Sequence, residues 1–142
     1  MSNSYRTTVR WLGGHKGFLT CGNGPAMAFA APPDAHGEYG VLTPEDALVA
    51  AVNTCIHMMF IWACERFKID LVAYECEAEA TKQVRLDQTE EFIQVTLRPC
   101  ITVRGADERR VQRAIASARK YSLIAESLRC PVAIEPQITM VE

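Results

Sequence analysis

The stretch TPEDALVAAVNTCIHMMFIWACERF (Thr43–Phe67) decides the fold of this chain, because it predicts one long helix. Thr43 is a good N-cap, Pro44 suits the first helical position, and Asp46 follows three residues after the cap. The helix has no wet side between Ala47 and Cys64, so it must be covered all round. A single sheet in a 142-residue chain covers one side only, and we therefore expect a homodimer with this helix in its middle.

The segments around the helix show the periodicity of strands or of amphipathic helices. A strand is predicted to begin at Asp70. Its residues Val72, Tyr74 and Cys76 alternate with positions that include glutamates, which predicts one buried face and one wet face. A strand break is predicted near Pro99. In chain order we expect strands at 5–12, 18–21 and 26–30, the helix, strands from 70 and at 92–103, helices at 107–120 and 122–129, and a strand at 132–141. This order predicts an α+β fold in a single domain, residues 1–142.

Composition and charge exclude several classes of function. The net charge is −2 with both signs dispersed, which indicates neither a nucleic-acid surface nor an anionic-membrane surface. The N-terminal stretch is polar and strand-like, so we expect no signal peptide and a cytoplasmic protein. The apolar helix contains Asn53, Thr54 and His57, and we expect no membrane span.

The six cysteines, at positions 21, 55, 64, 76, 100 and 130, are expected to be reduced thiols. They form no Cys-x-x-Cys pair, and the three histidines have no zinc-like spacing with them. We therefore predict no metal site, and nothing in the chain indicates a cofactor.

Cys55 is a candidate redox centre because it lies partway along the helix behind an acidic opening. A thiol peroxidase needs an attacking thiolate, a cation beside it and a second thiol to reduce the sulfenic acid. Glu45 precedes Cys55 by ten residues, about 15 Å along a helix axis, so the two can share a site only if Glu45 comes from the other subunit. His57 follows by two residues and lies on nearly the opposite face, which disfavours a Cys–His pair within one chain.

The segment TPEDALVAAVNTC resembles the signature of the OsmC/Ohr family of peroxide-detoxifying proteins, and the similarity extends along nearly the whole chain. The resemblance implies an intertwined α+β homodimer with an antiparallel sheet, a long central helix and two sites at the subunit interface. It implies reduction of organic hydroperoxides, with a dithiol such as a lipoyl group as the reductant. By this resemblance Cys55 is the attacking cysteine, and Glu45 is the acid that holds the activating arginine.

Two positions depart from the family pattern. The family arginine lies in a Gly-Gly-Arg turn after the first strand, and here His15 follows Gly13-Gly14, with Lys16 or Arg10 as alternative cations. Cys130-Pro-Val resembles the segment with the second cysteine, but only twelve residues follow it. Counting from the 107–120 helix places Ser122 in that slot instead, and no disulfide with Cys55 is then expected.

Each of these assignments has a plainer alternative. Cys55 can be a packing residue, Glu45 a first-turn helix acid and His15 a turn residue without a role. Met58 and Met59 either contact the core or a dimer partner, or form the wall of a pocket for an apolar substrate. The second function hypothesis is a non-catalytic dimer that binds a small hydrophobic or acyl ligand at the subunit interface.

Overall fold

The computed structural model describes residues 3–142 and has the predicted α+β class. A short 3₁₀ helix, Pro33–Ala35, precedes the long helix. The remaining elements are β1 (Thr7–Gly13), β2 (Lys16–Cys21), β3 (Ala26–Ala30), α1 (Pro44–Arg66), β4 (Asp70–Val84), β5 (Glu90–Arg104), α2 (Glu108–Tyr121), α3 (Leu123–Glu126), β6 (Val132–Ile134) and β7 (Gln137–Val141).

The described chain divides into two compact units, one that ends at Leu48 and one that spans Val49–Glu142. The prediction of one domain stays a prediction. In the first unit β1, β2 and β3 form an antiparallel sheet in that order. Gly13 and Gly14 turn the chain between β1 and β2 with φ angles of 100° and 55°, a conformation that favours glycine. The Trp11 indole Nε1–H donates to the Gly14 carbonyl at 3.0 Å and fixes this turn.

The second unit contains a mixed sheet. β4 and β5 are long antiparallel neighbours, and β6 and β7 both pair parallel to β5. The antiparallel arrangement expected from the sequence therefore holds for β1–β3 and for β4–β5, and two parallel pairings complete the second sheet.

Three details of the strand predictions are wrong. β5 continues through Pro99. This proline lies between the stretch of β5 that pairs with β6 and the stretch that pairs with β7, so its missing N–H is tolerated there. The last strand is two strands, since the chain leaves the sheet at Glu135 and Pro136. Val72 is 44% exposed, because a β-bulge between Leu71 and Ala73 takes it out of the alternation.

The core of the second unit lies between the sheet and the helices. α2 buries its predicted inner stripe, which consists of Val111, Ala114, Ile115 and Ala118. α1 contributes Phe60, Ala63 and Cys64 to the same cluster, and Val52 and Ile56 to a second cluster with residues of β5. One side of α1 is thereby packed against its own chain.

The other side of α1 carries residues that are open at intervals of four: Ala50, Thr54, Met58 and Trp62. Met58 is 45% exposed and Trp62 is 57% exposed. We name these four residues the open stripe of α1. An isolated chain thus leaves apolar helix surface in contact with water, which is unfavourable.

By length and composition α1 could cross a membrane, with a mean hydropathy of 1.8 over its most apolar 18 residues. Core helices of soluble proteins pass the same criterion, and 28% of this window is already buried inside the chain. The criterion by itself is therefore weak support for a span.

Candidate functional site

The thiol of Cys55 lies on α1 at the boundary between packed and open helix surface. Val52, about one turn before it, and Ile56, the next residue, are buried in the second core cluster. Thr54, its neighbour in the chain, is exposed, and Cys55 itself is half-buried. Cys55 therefore lies partly against the core and is partly open to solvent.

A hydrogen bond joins Cys55 to Ser122. Ser122 Oγ lies 3.1 Å from Cys55 Sγ, although the two residues are 67 positions apart in the chain. Ser122 is 0% exposed and separates α2 from α3 with an extended backbone, φ −74° and ψ 110°. The structure thus places the serine, and not Cys130, against the Cys55 sulfur.

The direction of this hydrogen bond follows from a second contact of Ser122. Its Oγ accepts from the Ala125 backbone N–H at 3.1 Å and so caps α3. A hydroxyl has one proton to donate, and the accepting role towards Ala125 leaves that proton free for the sulfur. When Cys55 is a thiolate, Ser122 must be the donor.

His57 belongs to a different environment from Cys55. Its ring packs on Tyr74, with centroids 4.7 Å apart, as expected for a residue on the far side of α1. The hydroxyl of Tyr74 is buried without a hydrogen-bond partner among the described residues, a feature that sequence reasoning missed. Burial, with the neighbouring Cys76 thiol adding to it, raises the pKa of Tyr74 well above its usual range. The alternation of β4 predicts which face Tyr74 occupies and carries no signal for the missing partner.

The other cysteines of the second unit differ from Cys55 in their surroundings. Cys64 is buried in the first core cluster, Cys76 and Cys130 are half-buried against the second, and Cys100 is exposed on β5. All six cysteines of the chain are free. Burial raises the pKa of Cys76 above its ordinary value, and this thiol is therefore a poor nucleophile near neutral pH.

We expect the Cys64 thiol to lower the stability of the fold at alkaline pH. Burial, with Glu65 adding to it, raises the pKa of Cys64 from 9.0 to about 11. Between these values the unfolded chain loses the thiol proton and the folded chain keeps it. The contribution of Cys64 to the free energy of unfolding is therefore fully present below pH 9.0 and is lost as the pH rises to about 11, by on the order of 2 kcal/mol.

We expect the free energy of unfolding, measured with urea, to fall less between about pH 8 and about pH 11 in Cys64→Ala than in the parent chain. Other groups with raised pKa values are common to both chains and cancel in this comparison. Parallel losses in the two chains would contradict the role given to Cys64.

Glu45 and His15 belong to the unit that ends at Leu48. Glu45 is exposed in the first turn of α1, and no hydrogen bond or ion pair involves it within residues 3–142. The ring of His15 stacks on His36, with centroids 5.4 Å apart, and the adjacent Lys16 pairs with Glu38 at 3.6 Å. The roles predicted for Glu45 and His15 beside Cys55 stay predictions.

The two methionines proposed as substrate contacts differ in exposure. Met58 belongs to the open stripe of α1, whereas Met59 is half-buried and packs against the first core cluster. Both follow Cys55 at helical spacing, so they lie on its side of α1. Across the described part of the chain no group of three or more His, Cys, Asp or Glu residues could hold a metal ion.

The fold and the site together define a class, the α+β proteins that carry a hydrogen-bonded, half-buried cysteine on a long helix. The family model of OsmC-like proteins matches residues 36–137, a stretch that contains α1, Cys55 and Ser122. The chain belongs to the OsmC-like family, which confirms the resemblance found in the sequence. Proteins of this family are soluble and are typically homodimers.

Solved structures of the family share the fold at low sequence identity. An OsmC-like protein of unknown function from Vibrio cholerae superimposes with a TM-score of 0.85 at 17% identity, over 95% of this chain and 99% of that one. An OsmC-like protein from Mycoplasma pneumoniae gives 0.81 at 14% identity over 100% of both chains. An organic hydroperoxide resistance protein OsmC from Legionella pneumophila gives 0.76 at 19% identity over 96% of both chains. No curated protein matches the chain.

Proposed function

We propose that this protein reduces organic hydroperoxides with the thiol of Cys55. The observation that carries the proposal is the position of Cys55, which is half-buried beside an apolar helix face and has its Sγ 3.1 Å from a buried hydroxyl donor, Ser122 Oγ. The name of the Legionella pneumophila protein, organic hydroperoxide resistance protein, supports the same chemistry.

In this proposal the Cys55 thiolate attacks one oxygen of the peroxide. The O–O bond breaks, the alcohol leaves with a proton, and Cys55 becomes a sulfenic acid. A dithiol reductant then returns Cys55 to the thiol and is itself oxidised to a disulfide. Met58 offers apolar surface at helical spacing from the sulfur, which suits an apolar substituent on the peroxide.

We further propose that the working form is a cytoplasmic homodimer. The open stripe of α1 exposes apolar surface that a second copy can cover. Glu45 is ten residues from Cys55 on the same helix and would reach the thiol of the partner chain, where it orients the activating cation. His15 supplies that cation in place of the family arginine.

A second candidate is a non-catalytic dimer that binds a small hydrophobic or acyl ligand at the subunit interface. The observation that favours it is the environment of His15, which stacks on another histidine, His36, where the family pattern has a permanently charged arginine. Cys55 is then a packing residue without a chemical role.

Differential alkylation distinguishes the two candidates. Near neutral pH we expect iodoacetamide to label Cys55 of the folded protein at least roughly tenfold faster than Cys64, since Cys64 is buried and carries a raised pKa. Peptide mapping after timed quenching measures both rates in one sample. Labelling of Cys55 only after unfolding in urea would contradict the catalytic proposal and support the binding protein.

A further inference from the structure

The sulfur of Cys55 lies in hydrogen-bond contact with a hydroxyl, that of Ser122. Ser122 is the polar side chain in hydrogen-bond contact with Cys55 Sγ within residues 3–142, and it is fully buried. Its own position is fixed because it caps α3 through the Ala125 N–H. A serine hydroxyl donates a hydrogen bond to sulfur but forms no disulfide.

We propose that Ser122 is a positioning residue that makes this a one-thiol site, in which the oxidised Cys55 is resolved by a thiol from outside the chain. The proposal rests on the hydroperoxide chemistry proposed above and specifies its second half. Ser122 holds the sulfur at the boundary of the core and donates a hydrogen bond to the thiolate. It holds the oxidised sulfur in the same place, open to an incoming thiol.

The electrons and atoms of this sequence balance with an external thiol as the reductant. The sulfenic acid of Cys55 reacts with one thiol to form a mixed disulfide and release water. A second thiol attacks the mixed disulfide, frees Cys55 as a thiol and leaves as the oxidised reductant. A dithiol supplies both sulfurs from one molecule, and two monothiol molecules supply them separately.

The other cysteines of the second unit have contacts or positions of their own. Cys64 lies nine residues from Cys55 on the same helix, about 13 Å along its axis, which is beyond the reach of a disulfide. Cys76 carries a hydrogen bond to the Glu77 carbonyl at 3.6 Å, and Cys100 one to Gln137 Oε1 at 3.5 Å. Cys130 packs against the second core cluster, two residues before β6.

The substitution Ser122→Cys tests the position directly. The 3.1 Å contact means that a sulfur introduced there needs only a small adjustment to bond to Cys55 Sγ. We expect diamide, without any peroxide, to form an intrachain disulfide between position 122 and Cys55, seen by peptide mapping. Ser127→Cys is the matched control, because Ser127 is exposed at the other end of α3, and we expect no such link there. Absence of the link in a folded Ser122→Cys chain would overturn the position assigned to Ser122.

The wild-type chain tests the chemistry without a variant. After one equivalent of cumene hydroperoxide and no reductant, we expect its mass to rise by one oxygen atom at Cys55. An intrachain disulfide that includes Cys55, seen as the loss of two hydrogen atoms, would overturn the one-thiol site. The Ser122→Cys chain should give the disulfide under the same treatment. A wild-type chain whose Cys55 does not react at all would overturn the proposed function, while the diamide result still decides the position of Ser122.

Discussion

The Cys55→Ser variant is expected to consume cumene hydroperoxide at least about 100-fold more slowly than the parent chain, with a dithiol as reductant. This loss corresponds to about 2.7 kcal/mol of transition-state stabilisation. The physical reason is that a serine hydroxyl is almost wholly protonated near neutral pH and does not attack a peroxide oxygen as a thiolate does. Because Cys55 is half-buried next to Val52 and Ile56, exchange of sulfur for oxygen should leave the fold intact.

The matched control for Cys55→Ser is Cys130→Ser. Cys130 is also free and half-buried, and it packs against the same core cluster. The residue that donates a hydrogen bond to Cys55, however, is Ser122. We expect this control to keep the parent rate within about twofold, since no step of the proposed chemistry uses Cys130. Equal rates in Cys55→Ser and the parent would end the catalytic proposal.

The Trp62→Glu variant is expected to convert the proposed dimer into monomers at micromolar concentration. Trp62 is 57% exposed in the open stripe of α1, and a second copy that covers the stripe would bury it. Burial of an unpaired carboxylate costs several kcal/mol, enough to remove a typical dimer contact. Light scattering after size-exclusion chromatography reports the mass of both chains.

Ala116→Glu provides the control for Trp62→Glu. Ala116 is exposed on α2, so this variant adds the same charge to another helix surface. We expect it to keep the mass of the parent. A parent chain that is already monomeric, or a Trp62→Glu chain that remains dimeric, would contradict the proposed role of the open stripe.

Sequence reasoning predicted the long helix well because its start is encoded locally. Thr43, Pro44 and Asp46 define the helix N-terminus, and the Thr43 side chain indeed accepts from the Asp46 N–H at 3.1 Å. The Cys55–Ser122 contact was accessible in part, since counting from the helix predicted at 107–120 placed Ser122 in the slot of the family's second cysteine. The contact itself depends on how α1 packs against the α2–α3 junction, which local patterns do not specify.

The errors came from features set by tertiary pairing. A break at Pro99 follows from the proline alone, whereas the structure places Pro99 between two pairing partners of β5, where its missing N–H is tolerated. The exposure of Val72 follows from a bulge that the alternation does not encode. The orphaned Tyr74 hydroxyl likewise depends on which side chains surround it in three dimensions.

The most direct test of the account locates the oxidation on the chain. Wild-type protein is treated with one equivalent of cumene hydroperoxide in the presence of dimedone, which traps sulfenic acids, and its six cysteine peptides are then mapped. We predict that the adduct is found on Cys55 and that adding a dithiol before dimedone removes it. An adduct confined to the exposed Cys100, or a Cys55 peptide that stays unmodified, would contradict the claim that Cys55 is the reacting thiol.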